Sequence, residues 1–388
     1  PGLEIAVLPM VGEGAAFAPA EAAGLLRRVG PRRTLPSGGF SNQSLGGLLR
    51  DLLAGLPLLS WRQWRLIRRW GRSQRPLLAV GDLLPLLLAW GSGSRFAFIG
   101  TPKSDHTWAT PHPRPSLLTR AADAYHRGKG SEWDPWEWAL MASRRCRFVA
   151  MRDERTAAGL RRHRVAAEAP GNPMMDGFFS TAPPAALDGR RRLLLLAGSR
   201  QPECSHNLAR LLEACSGLGD ASAMVLLLAT GRDPDAATVA ALLEAAGFTP
   251  MPVPAGSAAA SAWQRHGQWL LHGPGQFDTW AGWAELGLAT AGTATEQLVG
   301  LGHPALSLPG AGPQFKAGFA WRQSRLLDGA VAPCPDPQRL GLRAAALLAD
   351  PEARRQQGER GRERMGPAGG SEALARRLNA TLLCAPIA

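Results

Sequence analysis

Short apolar runs alternate with longer stretches of helical period along this chain, and glycine, proline and small polar residues separate them. Ile5–Leu8, Leu77–Val80, Phe96–Ile99, Arg147–Ala150, Arg192–Ala197, Met224–Ala229, Trp269–Leu271, Leu288–Ala291 and Pro304–Leu308 are short and largely apolar. Such runs read as strands, and the most continuous of them, RLLLLA at Arg192–Ala197, as one buried on both faces of a parallel sheet. Helical period marks Arg152–Arg162, His206–Cys215, Pro234–Ala246, Thr293–Leu301, Ala317–Leu327, Asp336–Asp350 and Pro351–Arg364. Strand then helix, repeated through two halves of similar size, predicts an α/β protein of two Rossmann-like domains facing each other across a cleft. Pro31–Gly47 and Pro111–Pro135 read as loops, and a Pro/Ala linker at Thr181–Gly189 divides the halves. The expected domains are residues 1–180 and 190–365. Residues 366–388 supply a final helix packing back on the body.

The densest pattern runs from Ala289 to Phe315: strand end, tight turn at Gly292-Thr293, helix, strand. A glycine turn opening a helix brings free backbone N–H groups and the positive helix end beside Thr293, which suits a phosphate. An ordinary β-α-β unit without ligand has the same pattern. Gly198-Ser199-Arg200 follows the core strand RLLLLA, and an arginine fork there can grip two phosphate oxygens. In the first half, Asp82 follows a strand at the end where open α/β sheets bind ligands. It is the first candidate for a general base, with helix capping of Leu83–Trp90 as its other reading. Glu13, in the glycine loop after Ile5–Leu8, is either a cleft acid or a solvated carboxylate. Asp105 and His106 are secondary candidates. Asp233-Pro234-Asp235 has a metal-type spelling, but Pro234 reads as the first residue of a helix capped by Asp233.

Composition then narrows the partners. The 388 residues carry 45% hydrophobic and 19% charged side chains, ordinary for globular domains. The net charge of +13 favours nucleic acid, anionic lipid or phosphorylated substrates, although a codon bias towards Arg and Ala would also raise it. The sequence SWRQWRLIRRWGR concentrates that charge. On a helical wheel Arg62, Arg65, Arg68, Arg69 and Arg72 group on one side, and Trp64, Ile67 and Trp70 on the other, with Trp61 near the edge. That pattern fits a helix, Trp61–Arg72, lying on an anionic membrane surface. It also fits a packed helix with a solvated arginine face. Nucleic acid is not expected, because no series of aromatics lines a basic strand face. Five scattered cysteines suggest neither zinc nor a disulfide framework, and a reducing compartment suits them. No leader and no spanning run is read, so the expectation is a cytoplasmic protein, at most peripheral on the cytoplasmic membrane face.

VGEG (Val11–Gly14), VGD (Val80–Asp82), GNPMMD (Gly171–Asp176), LLLAGSR (Leu194–Arg200), AGTATEQ (Ala291–Gln297) and PGAGPQF (Pro309–Phe315) fall in one order. In that order they resemble the lipid-A-disaccharide synthase family, most closely its related branch. The resemblance implies a GT-B fold and an inverting transfer from a UDP-sugar, typically UDP-N-acetylglucosamine, to a lipid or saccharide acceptor. It implies neither metal nor cofactor. It makes Asp82 the base, with Glu13 a second catalytic acid, and sets Gly198, Ser199 and Arg200 at the diphosphate. Gly292, Thr293, Ala294, Glu296, Gln297 and Gln314 would hold the nucleotide sugar. This chain departs from the family where GEGAAF replaces GExSGD and where Leu83-Leu84-Pro85 replaces PDF. The family's ribose acid aligns with Gln297, one place after Glu296, so that contact falls to either. Two other readings stay open: a UDP-N-acetylglucosamine 2-epimerase on the same fold, and a non-catalytic protein that binds nucleotide or membrane.

Overall fold

A computed structural model describes residues 3–10, 12–34, 45–178, 181–218, 223–310 and 315–384. By internal contacts the chain forms two compact units. Unit 1 comprises Pro1–Lys103, Trp133–Glu168 and Ala375–Ala388; unit 2 comprises Ser104–Glu132 and Ala169–Leu374. This differs from two consecutive halves parted at Thr181–Gly189. Ser104–Glu132 joins unit 2 because Arg325, 8% exposed, donates to the Thr110 carbonyl at 2.7 Å and to Asp123 at 2.8 Å. The turn at Asn172 joins unit 2 because its side chain donates to the Met365 carbonyl at 3.2 Å. Asp176 there accepts from the Gly369 and Ser371 amides. The chain from Ala375, the end of helix Gly370–Leu378, belongs with unit 1, where Arg377 pairs with Glu168.

Unit 1 holds β1 (Ala6–Val7), β2 (Arg27–Arg28), β3 (Leu77–Gly81), β4 (Phe96–Gly100), β5 (Cys146–Met151) and β6 (Ala167–Glu168). β3 to β6 form a parallel sheet in that order, around fully buried Phe96, Phe98 and Trp133. β1 lies outside that sheet and pairs in parallel with β2. The resulting ribbon is tied to helix Leu56–Arg72 by Gln63, 1% exposed, whose amide donates to the carbonyls of Pro9 and Pro31.

Unit 2 holds β7 (Arg191–Leu196), β8 (Met224–Thr230), β9 (Thr249–Met251), β10 (Ser261–Arg265), β11 (Gln268–Pro274), β12 (Leu286–Ala289), β13 (Ala305–Ser307) and β14 (Val331–Pro333). Across the sheet they run β14-β13-β12-β7-β8-β11-β10-β9. The first six are parallel. Numbered by their order in the chain they read 6-5-4-1-2-3, the doubly wound arrangement, whose strand order reverses between β7 and β12. Leu193, Leu194 and Leu195 of β7 and Leu226, Leu227 and Leu228 of β8 are completely buried, as a two-sided sheet requires. β10 and β9 extend the edge antiparallel, and β10 turns into β11 through His266-Gly267, both at positive φ. That is a two-residue hairpin turn whose twist matches its strands.

Candidate nucleotide-binding site

The point of reversal fixes which loops meet. β7 exits through Ala197-Gly198-Ser199-Arg200 and β12 through Thr290-Ala291-Gly292-Thr293. The Thr290 amide donates to the Leu196 carbonyl at 2.9 Å, and its hydroxyl donates to the same oxygen at 3.3 Å. Gly198 turns with φ +91, and a Cβ there would lie 4.0 Å from the Thr290 carbonyl. A Cβ on Gly231, after β8, would lie 4.0 Å from the Ser199 Cβ. Three strand exits therefore converge at the carboxyl end of the sheet, where open α/β folds bind their ligands.

Helix Glu203–Ser216 secures the neighbouring loop. Asn207, 4% exposed, donates to the Ala197 carbonyl at 3.3 Å, and a Cβ on Gly310 would lie 3.2 Å from its Oδ1. Arg210 donates to the Pro309 carbonyl. Arg200 is exposed at the β7 exit, and its carbonyl accepts the Cys204 amide at 2.8 Å. Gln314 lies outside the described residues.

Helix Thr293–Gly300 starts at Gly292, and no side chain caps it. The Thr295 hydroxyl donates back to the Ala291 carbonyl at 2.7 Å. Thr293 is exposed, while Ala294 and Glu296 are half-buried. Gln297 donates to the Met174 carbonyl at 3.0 Å, so its amide nitrogen is committed to the turn Pro173–Met175.

Asp82 and Glu13 belong to unit 1, on separate sheets. Asp82 leaves β3 and caps helix Leu83–Gly91, accepting from the Leu84 amide at 3.4 Å. Glu13 is exposed in the loop after β1, between Gly12 and Gly14, both at positive φ. Asp105, in unit 2, is 1% exposed and accepts from the Glu132 amide at 2.6 Å and the Trp108 indole at 3.2 Å, which makes it a loop organiser. The helix after β8 starts at Ala236 and is capped by Asp235, not by Asp233 as the sequence suggested. Asp235 accepts from the Thr238 amide at 2.8 Å, and bonding to Thr238 holds its carboxyl below the usual range. Among the described residues no three His, Cys, Asp or Glu side chains gather as a metal site would need.

The arginine-rich helix spans Leu56–Arg72 and buries Leu59, Gln63, Ile67 and Gly71, a stripe at every fourth residue. Its outer face therefore differs from the expected separation of tryptophan from arginine. Trp61 is 50% and Trp64 37% exposed, on the same face as Arg62, Arg65, Arg69 and Arg72. Arg65 stacks over Trp61 at 4.8 Å and Arg68 over Trp64 at 5.6 Å. Leu58, and Leu49, Leu52 and Leu53 of helix Leu45–Leu53, are also exposed. No helix among the described residues is long and apolar enough to cross a membrane.

No protein-family model and no curated protein matches the chain. Solved structures do. A proposed UDP-N-acetylglucosamine 2-epimerase from Listeria monocytogenes superposes with a TM-score of 0.56 at 11% identity, covering 97% of this chain and 87% of its own. CalG4, the calicheamicin glycosyltransferase, gives 0.55 at 15% identity, covering 99% and 92%. UDP-GlcNAc 2-epimerase from Neisseria meningitidis, solved with UDP-GlcNAc bound, gives 0.52 at 11% identity, covering 97% and 92%. The chain has the GT-B fold. Within GT-B proteins the two-Rossmann-domain frame is common to transferases and epimerases, so these likenesses fix the architecture and leave the chemistry to the site.

Proposed function

We propose that the chain is an inverting, metal-independent glycosyltransferase that moves a sugar, N-acetylglucosamine by the family resemblance, from a UDP-sugar to a lipid-linked or membrane-associated acceptor. One observation carries the donor half. Gly198–Arg200 and Gly292–Thr293 are neighbouring exits at the strand-order reversal of unit 2. Backbone N–H groups at the uncapped helix end and the Arg200 guanidinium then meet the diphosphate. They stabilise the charge that builds as UDP departs. Glu296 is the ribose partner, since the Gln297 amide nitrogen is already bound to Met174.

Asp82 takes the proton of the acceptor hydroxyl while that oxygen attacks the anomeric carbon. The bond from that carbon to the diphosphate breaks, its electron pair leaves with UDP, and the configuration inverts. Glu13 is the second acid of this reading. The outer face of helix Leu56–Arg72 supports an anionic membrane surface as the place where the acceptor is met.

A second reading, UDP-N-acetylglucosamine 2-epimerisation, is favoured by the epimerase superpositions above. Incubation with UDP-N-acetylglucosamine separates the two. A transferase releases UDP only when a lipid acceptor is supplied; an epimerase converts the sugar nucleotide without acceptor and releases none. Arg200→Ala is expected to weaken UDP binding about tenfold or more, the worth of a charge-assisted contact. Unchanged affinity by calorimetry removes Arg200 from the diphosphate.

A further inference from the structure

Helix Ala317–Leu326 carries a side chain to which no sequence motif pointed. Gln323 is 2% exposed and donates from Nε2 to the Gly292 carbonyl at 3.0 Å. The same carbonyl accepts the Glu296 amide at 3.1 Å, the opening hydrogen bond of helix Thr293–Gly300. Phe319, one turn earlier on the same helix, packs 3.7 Å from where a Gly292 Cβ would lie. Gln323 Oε1 is buried and has no hydrogen-bond partner among the described residues. An amide buried with one end unsatisfied is disfavoured against an apolar side chain of similar size, so its presence asks for a use.

The use follows from peptide geometry. The Gly292–Thr293 peptide is planar and trans, so its C=O and N–H point in opposite directions. Fixing the carbonyl aims the Thr293 N–H. Gly292 has no side chain to stiffen its own backbone. We propose that Gln323 is a positioning residue of the donor site: it pins this peptide so that the first amides of the helix face the diphosphate of a nucleotide sugar. This rests on the reading of that helix end as the diphosphate site. The supporting helix does not depend on Gln323 for its place, because Arg325 anchors it to Thr110 and Asp123 and Arg322 pairs with Glu132.

Calorimetric titration of UDP and of uridine into the full chain tests the proposal. In Gln323→Met the volume stays and the hydrogen bond goes. UDP affinity is expected to fall about five- to tenfold, uridine affinity to stay put, and the melting temperature to hold or rise as the unsatisfied oxygen disappears. Gln323→Glu, which turns an acceptor and a charge towards the Gly292 carbonyl, is expected to lose more UDP affinity than Gln323→Met. Gln323→Asn keeps the amide but stops one methylene short; it carries the Gln323→Met expectation for UDP and replaces that variant where it does not fold. Unchanged UDP affinity, or UDP and uridine weakening in parallel, overturns the positioning role. A wild-type protein that binds no UDP removes the donor site itself, and this proposal with it.

Discussion

If the outer face of helix Leu56–Arg72 meets an anionic bilayer, its charge sets how tightly. Arg62, Arg65, Arg69 and Arg72 are exposed beside Trp61 and Trp64. Arg68 is engaged elsewhere, donating to the Gly91 carbonyl at 3.1 Å. A basic side chain at an anionic leaflet is worth about 1 kcal/mol. Four of them give about 4 kcal/mol, or about a thousandfold in partition. Replacing all four by glutamine should therefore move the protein from bound to unbound on vesicles containing phosphatidylglycerol, measured by co-sedimentation. The wild type should release as salt is raised, because the Debye length shrinks from about 10 Å at 0.1 M towards 3 Å at 1 M. Trp61→Ala with Trp64→Ala should weaken binding to neutral and anionic vesicles alike, since indoles anchor in the interface whatever the headgroup. Equal binding of the wild type to neutral and anionic vesicles, or indifference to salt, would refute the reasoning and leave the arginines as a solvated face.

Asp82→Asn separates chemistry from capping. Asparagine caps a helix about as well as aspartate, so stability should change by less than about 1 kcal/mol. Turnover should fall at least about a hundredfold if the carboxylate is the base, with UDP affinity unchanged; full activity assigns Asp82 to the helix alone. His303 supplies a pH test of folding. Burial, and then the Arg362 guanidinium, push it down to about 4. It is neutral in the folded chain at pH 5, where an unfolded chain would protonate it. The folded pKa is depressed, so its stability is present in full above about 6.5 and is lost as pH falls towards 4, by about 2 kcal/mol between pH 7 and pH 5. Urea midpoints of wild type and His303→Gln across that window check it, and parallel slopes would be contrary to the assignment.

The legible parts of this fold are those whose physics is local. β7, β8 and β12 are buried on both faces, so each had to be a continuous apolar run. The glycines at 198 and 292 mark the exits beside which Ser199, Arg200 and Thr293 stand. β10 escaped because Ser-Ala-Trp-Gln-Arg, between β11 and the edge strand β9, buries only part of its length, and its turn reads His-Gly where a hairpin is usually spelled Asn-Gly or Asp-Gly. Helix Leu117–Lys129 escaped because it buries none of its residues, and so carries no apolar stripe to betray it. β1 could not be placed from sequence, because two residues of strand do not announce their partner, which is β2. Gln323 was invisible because its role depends on a carbonyl 31 positions away.

This division bears on the choice between transferase and epimerase. The proposed diphosphate site, made of strand exits and backbone amides, would serve either chemistry, so residues 198–200 and 290–296 do not decide between them. The difference has to lie where the acceptor arrives. An epimerase acts on a free sugar nucleotide and has no need of an apolar outer face. Yet Leu49, Leu52, Leu53, Leu58, Trp61 and Trp64 all stand in solvent on two consecutive helices of unit 1. Apolar area left in water forfeits about 25 cal/mol for each Å² that packing would have buried. Soluble proteins tolerate single exposed residues of this kind, while large contiguous apolar patches mark surfaces that something covers. Under the transferase reading, a lipid-borne acceptor would give these exposed side chains an occupant. A nucleotide sugar isomerised in solution would give them none.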